Sequence, residues 1–409
     1  MTSLRRSSTL SAVTKPQARI FSIVSRVLVS AICCVGIWSS WKLARADYLF
    51  NQRTEDSIRA AIQLEPDAWR YYMVLSQIDS AHEEQLLMRS LQLNSYNAAA
   101  NIELGLYAES GGDYVRAEKL LVEAFAIDRT FVTRWALANF YLRRGNEPAF
   151  WQWARSAASM PSDRMGALFE LCWRESPDPD KISAAILSDN PGLIHQYIDF
   201  LLTKNQLTAA ASAAHRLIPL GNPVIDTPVL LTTVNRLVAA KEGPAAAGLW
   251  RELISARWVQ GDLAVVNNPR FDRDPLPVDF DWFLPANDGV NSETGSAGLV
   301  ADFNGSEPES WVIASQSIVL SPGPHTLQYS YRTSQIAPGT GLRWQIVAAG
   351  TDSSLANSAD LASDTLRNDS MTFTVPQDAP LLRLLLTYQR TLGTTRISGR
   401  LVVQSVQVQ

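Results

Sequence analysis

Four histidines, His82, His195, His215 and His325, are the side chains of this chain best suited to bind a metal or move a proton near neutral pH. None has a second histidine or a cysteine at metal-ligand spacing. The three cysteines make neither a zinc set nor a disulfide framework: Cys33 and Cys34 lie in an apolar run, and Cys172 stands alone. Paired acids occur at Asp178/Asp180, Asp272/Asp274 and Asp279/Asp281, in stretches that read as loops. The Asp272/Asp274 pair lacks the glycine that a calcium loop of the EF-hand type needs. Asp302, Asn304 and Glu307 could supply oxygens to a structural calcium. Solvated loop acids are the simpler reading, and no metal ligand set and no cofactor are assigned. There is no phosphate loop, no Gly-x-Ser-x-Gly elbow and no dinucleotide fingerprint. A glycan hydrolase would need two carboxylates at a fixed separation, and no such pair is identifiable. The expectation is a non-enzymatic protein.

What remains is binding, and the chain's organisation says of what kind. With 409 residues it is long enough for two or three domains. A net charge of −4 argues against a nucleic-acid partner met through a basic surface. Residues 20–41, IFSIVSRVLVSAICCVGIWSSW, carry one charge, Arg26, and are long enough to cross a bilayer. Trp38 and Trp41 stand where an aromatic belt would be. Arg5, Arg6, Lys15 and Arg19 precede the span; Lys42 and Arg45 follow it. The balance favours a cytoplasmic basic tail at 1–19, a transmembrane helix at 20–41, and the bulk of the chain in the periplasm. Two other readings stay open. Ala44-Arg45-Ala46 has the small-x-small form of a signal cleavage site, and the run could be a buried helix.

Residues 47–260 read as helical hairpins. Leu104-Gly105 and Leu137-Ala138 are 33 residues apart, as are Gly112 and Gly145, and Ala124 and Ala157. Small residues at such positions let paired helices approach, and Gly112 and Gly145 mark turns between them. The Leu104-Gly105 pair and the stretch Gly111-Gly112-Asp113-Tyr114-Val115-Arg116-Ala117 resemble tetratricopeptide repeats over about 55–165, with the unit at 98–131 nearest the pattern. Its neighbours depart from it: Trp135 is shifted by one, and Phe150 replaces a small residue. The resemblance implies a solenoid whose first helices line a groove for a protein partner. Ile102, Leu106, Glu109, Trp135, Asn139 and Arg143 take those positions. The competing assignment for Ile102, Leu106 and Trp135 is inter-repeat core.

Past a linker or capping segment at 261–295, residues 296–409 switch to period two. In 325–332 Leu327, Tyr329 and Tyr331 share one face, and Gln328, Ser330 and Arg332 the other. Further strands are expected at 298–303, 311–320, 342–346, 371–375, 381–389 and 396–408, with turns at 321–324, 337–341 and 392–393. Such a run predicts an antiparallel β-sandwich of the jelly-roll type. Strand order and Pro-Gly turns make it similar to jelly-roll carbohydrate-binding modules, which implies a glycan ligand. An aromatic platform with planar hydrogen bonders would be drawn from Trp311, Trp344, Tyr388, Arg332, Arg343, Gln345 and Arg390. The competing assignment puts Trp344 in the core beside Leu342 and Ile346. Anchor, repeats and sandwich together resemble bacterial envelope proteins associated with polysaccharide export. The function expected is a membrane-anchored envelope scaffold that binds a protein partner, or alternatively a glycan-binding module on a helical stalk.

Overall fold

The computed structural model describes residues 15–350, 354–391 and 393–409, with side chains from residue 23 onward. Most of the expected 1–19 tail, with Arg5 and Arg6, and residue 392 of the last turn therefore fall outside the described residues. Among the described residues, fourteen α-helices precede nine strands. The chain divides into two compact units, Met1–Met160 and Pro161–Gln409.

The first unit begins with α1, Lys15–Asn51. Within it Ile23–Asn51 is the one helix among the described residues long and apolar enough to cross a membrane. Ile23, Val27, Ile32, Ile37, Trp38 and Trp41 are all exposed. The helix does not stop where the apolar run ends. No Gly or Pro interrupts 42–51, and Ala46, Leu49 and Phe50 recur at helical spacing. They pack with Ile58, Ala61, Tyr71 and Leu75, and the Tyr71 hydroxyl donates to Asp47 Oδ1 at 3.0 Å. Residues 42–51 are therefore both the end of the apolar helix and half of the first helical hairpin. Removing residues 1–41 should leave a water-soluble chain. Removing 1–51 should also strip one wall from this small core and lower the melting temperature of the first unit. Partition between membrane and supernatant after a high-salt wash, followed by thermal melts of both products, checks the two expectations.

Hairpins follow in register: α2 (Glu55–Leu64) returns against α1, α3 (Trp69–Ser76) pairs with α4 (Glu83–Leu93), α5 (Ala98–Ser110) with α6 (Tyr114–Ile127), and α7 (Phe131–Arg143) with α8 (Glu147–Ala158). The repeat signals act locally as expected. Gly112 (φ +83°) and Gly145 (φ +64°) are left-handed residues that end α5 and α7. Asp113 and Asn146 then cap the next helix, accepting from Arg116 N at 3.1 Å and Ala149 N at 3.3 Å. Gly105 is buried where α5 meets α6, with Leu121 and Ala117 opposite.

The second unit holds α9 (Met165–Glu175), α10 (Pro179–Ile186), α11 (Pro191–Thr203), α12 (Leu207–Leu217), α13 (Pro223–Ala239), α14 (Gly243–Ser255) and the strands. Asp178, Asn190 and Asn222 cap α10, α11 and α13, each followed by a proline at the first helical position.

The strands are β1 (Val290–Gly295), β2 (Gly298–Asn304), β3 (Ser310–Val319), β4 (Gly323–Ser334), β5 (Leu342–Ala348), β6 (Ser354–Asn357), β7 (Arg367–Val375), β8 (Leu381–Gln389) and β9 (Ser398–Val408). They form two antiparallel sheets, β1-β2-β9-β4-β7 and β3-β8-β5-β6. The pairs β2/β9, β3/β8, β4/β7 and β5/β6 nest inside one another and alternate between sheets. That is a long hairpin rolled into a jelly roll. Leu327, Tyr329 and Tyr331 point into the core, as their alternation predicts. Strands β1 and β6 carry too few apolar residues to be read from the sequence, and both are edges.

Residues 262–289 are docked on this core. Phe271 and Trp282 are buried, with ring centroids 4.6 Å apart, and Trp282 Nε1 donates to Asn268 O at 3.0 Å. Asn267 and Gln316 exchange two hydrogen bonds of 3.0 Å. Helix α13 joins in: the Asn235 amide donates to Pro277 O at 3.0 Å and accepts from Asp279 N at 2.9 Å. At the start of α14, a Cβ on Gly243 would stand 2.9 Å from Leu381 Cβ.

Candidate binding surfaces

The candidate groove residues fall on α5 and α7, the first helices of two successive hairpins. Glu109 and Arg143 meet: Arg143 Nε donates to Glu109 Oε1 at 2.8 Å and Nη2 to Oε2 at 2.6 Å. An ion pair with one half-exposed partner contributes on the order of 0.2–1 kcal/mol, so its main effect is to fix the spacing of the two helices. Asn139 is buried and donates to Trp135 O at 3.0 Å. The Trp135 indole nitrogen is sealed without a partner, and Ile102 packs on the core formed by Ala108, Leu121, Leu137 and Phe140. Of the six, Leu106 is the apolar side chain left open, at 39% exposure.

The sandwich residues do not converge. Trp344 and Tyr388 are fully buried. Neither offers a ring on which a sugar could stack, which corrects their place in the expected platform. Trp344 faces Tyr329 and Trp282 across the core, and the Tyr388 hydroxyl accepts from Ile397 N at 3.3 Å. Trp311 is half-buried, with its indole nitrogen sealed. Arg390 pairs with Glu309 at 2.9 Å. Arg343 and Gln345 lie on β5, whereas Arg332 lies on β4 of the other sheet. Six candidates thus sit on the four-stranded sheet or its end, apart from Arg332, and two of them are buried, so they make no single site.

The five-stranded sheet gathers a set that the sequence did not single out. Register places Gln407, Gln328 and Ser370 in one row across β9, β4 and β7, and Ser405, Ser330 and Asn368 in the next. These six line an open hollow of about 380 Å³. Gln407 Nε2 donates to Gln328 Oε1 at 2.8 Å, and the Ser330 hydroxyl donates to Asn368 Oδ1. Planar amides and hydroxyls in rows can both donate to and accept from a polyol. The polar alternation of β4 was the visible half of this surface; its neighbours required the register.

The titratable groups also find partners that spacing did not show. His195 Nδ1 lies 2.5 Å from Asp226 Oδ1, linking α11 to α13; His215 meets Glu252, and His82 meets Asp79. Each partner is a carboxylate. Among the described residues no three of His, Cys, Asp and Glu gather as a metal set. Asp302 is held by Arg400 in two bonds of 2.6 and 2.9 Å, and Asn304 Oδ1 accepts from Ser306 N at 2.9 Å, whereas Glu307 is buried with neither carboxylate oxygen hydrogen-bonded among the described residues. Burial pushes the Cys172 thiol up to about 12. In the fragment 42–409, whose one cysteine is Cys172, maleimide labelling at pH 8 should run on the order of a thousandfold slower than for a free thiol until the chain is unfolded.

The chain thus combines a run of helical hairpins with an antiparallel jelly-roll sandwich. No family model matches the chain, and no curated protein matches it. Similar solved structures include a CBM4 module at 19% identity, covering 35% of this chain and 97% of that one, with a TM-score of 0.28. The N-terminal cellulose-binding domain of Cellulomonas fimi β-1,4-glucanase C is 16% identical over 36% of this chain and 96% of that one, with a TM-score of 0.26. YrrB, a TPR protein with an unusual peptide-binding site, is 10% identical over 50% and 94%, with a TM-score of 0.24.

Proposed function

We propose that this chain is a non-enzymatic, membrane-anchored scaffold of the cell envelope that holds a protein partner on its helical repeats, in a system that exports or assembles polysaccharide. The observation that carries the reading is the unbroken helix Lys15–Asn51. None of its apolar window is buried, and its last turns are core of the first hairpin. A rigid joint of this kind would hold the α5 and α7 face near the bilayer, with the N-terminus cytoplasmic and the bulk of the chain periplasmic. The partner would meet Leu106, flanked by Ile102, Trp135 and Asn139, with the Glu109–Arg143 pair at the edge. Capture of the full chain from detergent-solubilised membranes tests this. A protein should co-purify with the wild type and be lost with Leu106→Arg, a change at an exposed position that leaves the fold intact. A partner set unchanged by Leu106→Arg would sink the groove assignment.

A second reading has its own support. The rows of Gln328, Ser330, Asn368, Ser370, Ser405 and Gln407 suit a neutral glycan chain laid across the five-stranded sheet. A glycan array probed with the full chain and with Gln328→Ala tests that surface; binding indifferent to the substitution counts against it.

A further inference from the structure

Away from that hollow, a cavity of about 440 Å³ opens where the end of α13 meets the outward face of β3 and β8. Its walls carry Lys241, Asp279, Phe283, Ser315, Ser317 and Arg383. Phe283 is fixed by two backbone hydrogen bonds to Ser315, of 2.8 and 3.0 Å, yet its side chain is 62% exposed. Arg383 lies opposite Ser317 in the β3/β8 register, with Nη2 3.5 Å from Ser315 Oγ. Lys241 adopts φ +65° just past α13, and its side chain crosses Gly350. A Cβ on Gly350 would stand 2.3 Å from Lys241 Cε and 2.6 Å from Nζ, so glycine there leaves the ammonium its place. Among the described residues neither cation has a carboxylate within salt-bridge distance. Asp279, the one acid among the described residues of the walls, is held through its backbone by Asn235 and Ser317.

We propose that this cavity binds one hexuronate unit of an acidic polysaccharide, with the sugar ring against Phe283 and its carboxylate between Arg383 and Lys241. A guanidinium presents parallel N–H donors that match a carboxylate, and an ammonium adds a second positive charge beside it. Among the described residues of the walls, two cations against one acid leave a net charge suited to a single anionic group. An inorganic anion would use the cations and leave the exposed ring without a purpose, whereas a pyranose has an apolar C–H face that covers it. The inference rests on the second reading, that the sandwich is a glycan module, and adds to it a charge-selective site on the opposite sheet.

The probe is trigalacturonate, titrated calorimetrically into the full chain in detergent, with neutral galactotriose as comparison. Trigalacturonate should bind at least tenfold more tightly than galactotriose, and its affinity should fall as salt rises. Arg383→Gln, Lys241→Gln and Phe283→Ala, all exposed or loop positions, should each weaken it about tenfold. Equal affinity for the two oligosaccharides, or trigalacturonate binding indifferent to Arg383→Gln, overturns the proposal. If galactotriose then still binds and Gln328→Ala abolishes it, the glycan reading survives without this site. Binding of neither oligosaccharide overturns both.

Discussion

Gly105→Leu should unfold the first unit by roughly 2–3 kcal/mol or more. Gly105 is buried on α5, where an added Cβ would already stand 3.0 Å from Leu121 Cγ, 3.1 Å from its Cδ2 and 3.4 Å from Ala117 O. The three further carbons of leucine have no room unless α6 moves away. Overpacking of this kind costs about 1–3 kcal/mol at the contact, and each hairpin leans on its neighbours, so the damage spreads. Helix propensity works the other way, since glycine is the weaker helix former by roughly 0.8–1 kcal/mol. The opposing effects give an internal control. Gly105→Ala places one carbon against the far end of a flexible leucine and gains the propensity, so it should be nearly neutral. In melts followed by helical circular dichroism, the first transition should drop by on the order of 10 °C for leucine and hardly move for alanine. An unchanged profile for leucine would mean that α5 and α6 do not meet at Gly105.

The helical hairpins were legible because their signals are local. Leu104-Gly105, the left-handed Gly112 and Gly145, and the caps Asp113 and Asn146 each act within one turn of chain. The jelly roll was legible where strands are half-buried and alternate, as in 325–332. It was not legible at β1 and β6, whose edges need no apolar stripe. The helix runs on past the span expected at 20–41, through Lys42 and Arg45, which read as a membrane flank. Charge marks where a bilayer would end but does not stop a helix that contains no breaker. The binding surfaces were the least legible part. Arg332 and Arg343 look alike in sequence, yet register sends them to different sheets. Trp344 and Tyr388 are aromatic at alternating positions, and aromatic type alone does not say which face is inside. Gln328 meets Gln407, and Lys241 reaches the cavity of Arg383, only because the fold brings distant segments together.

Trp282→Ala should be the most damaging single change in the second unit, at about 3–5 kcal/mol. The indole is 2% exposed and sits between Phe271, at 4.6 Å between centroids, and Trp344, at 6.1 Å. Its truncation leaves a cavity in a packed interior and removes one of the two hydrogen bonds to Asn268 O, which keeps only the one from Phe271 N at 3.0 Å. The loss should not stay within the sandwich. Asp281, the preceding residue, is buried and holds the turn, accepting from Leu276 N at 3.0 Å and Trp282 N at 2.8 Å. Two residues earlier, Asp279 N donates to the Asn235 side chain on α13. Releasing Trp282 therefore releases the segment that ties α13 to the sandwich. Limited proteolysis reads this directly: the wild type should resist cleavage between 262 and 289, and the alanine variant should be cut there. Phe283→Ala is the matching control, because that exposed neighbour should cost about 0.5 kcal/mol or less and leave the segment protected. Equal protection in Trp282→Ala and wild type would show that the segment is held by its backbone bonds to β3 and β9 rather than by the buried indole.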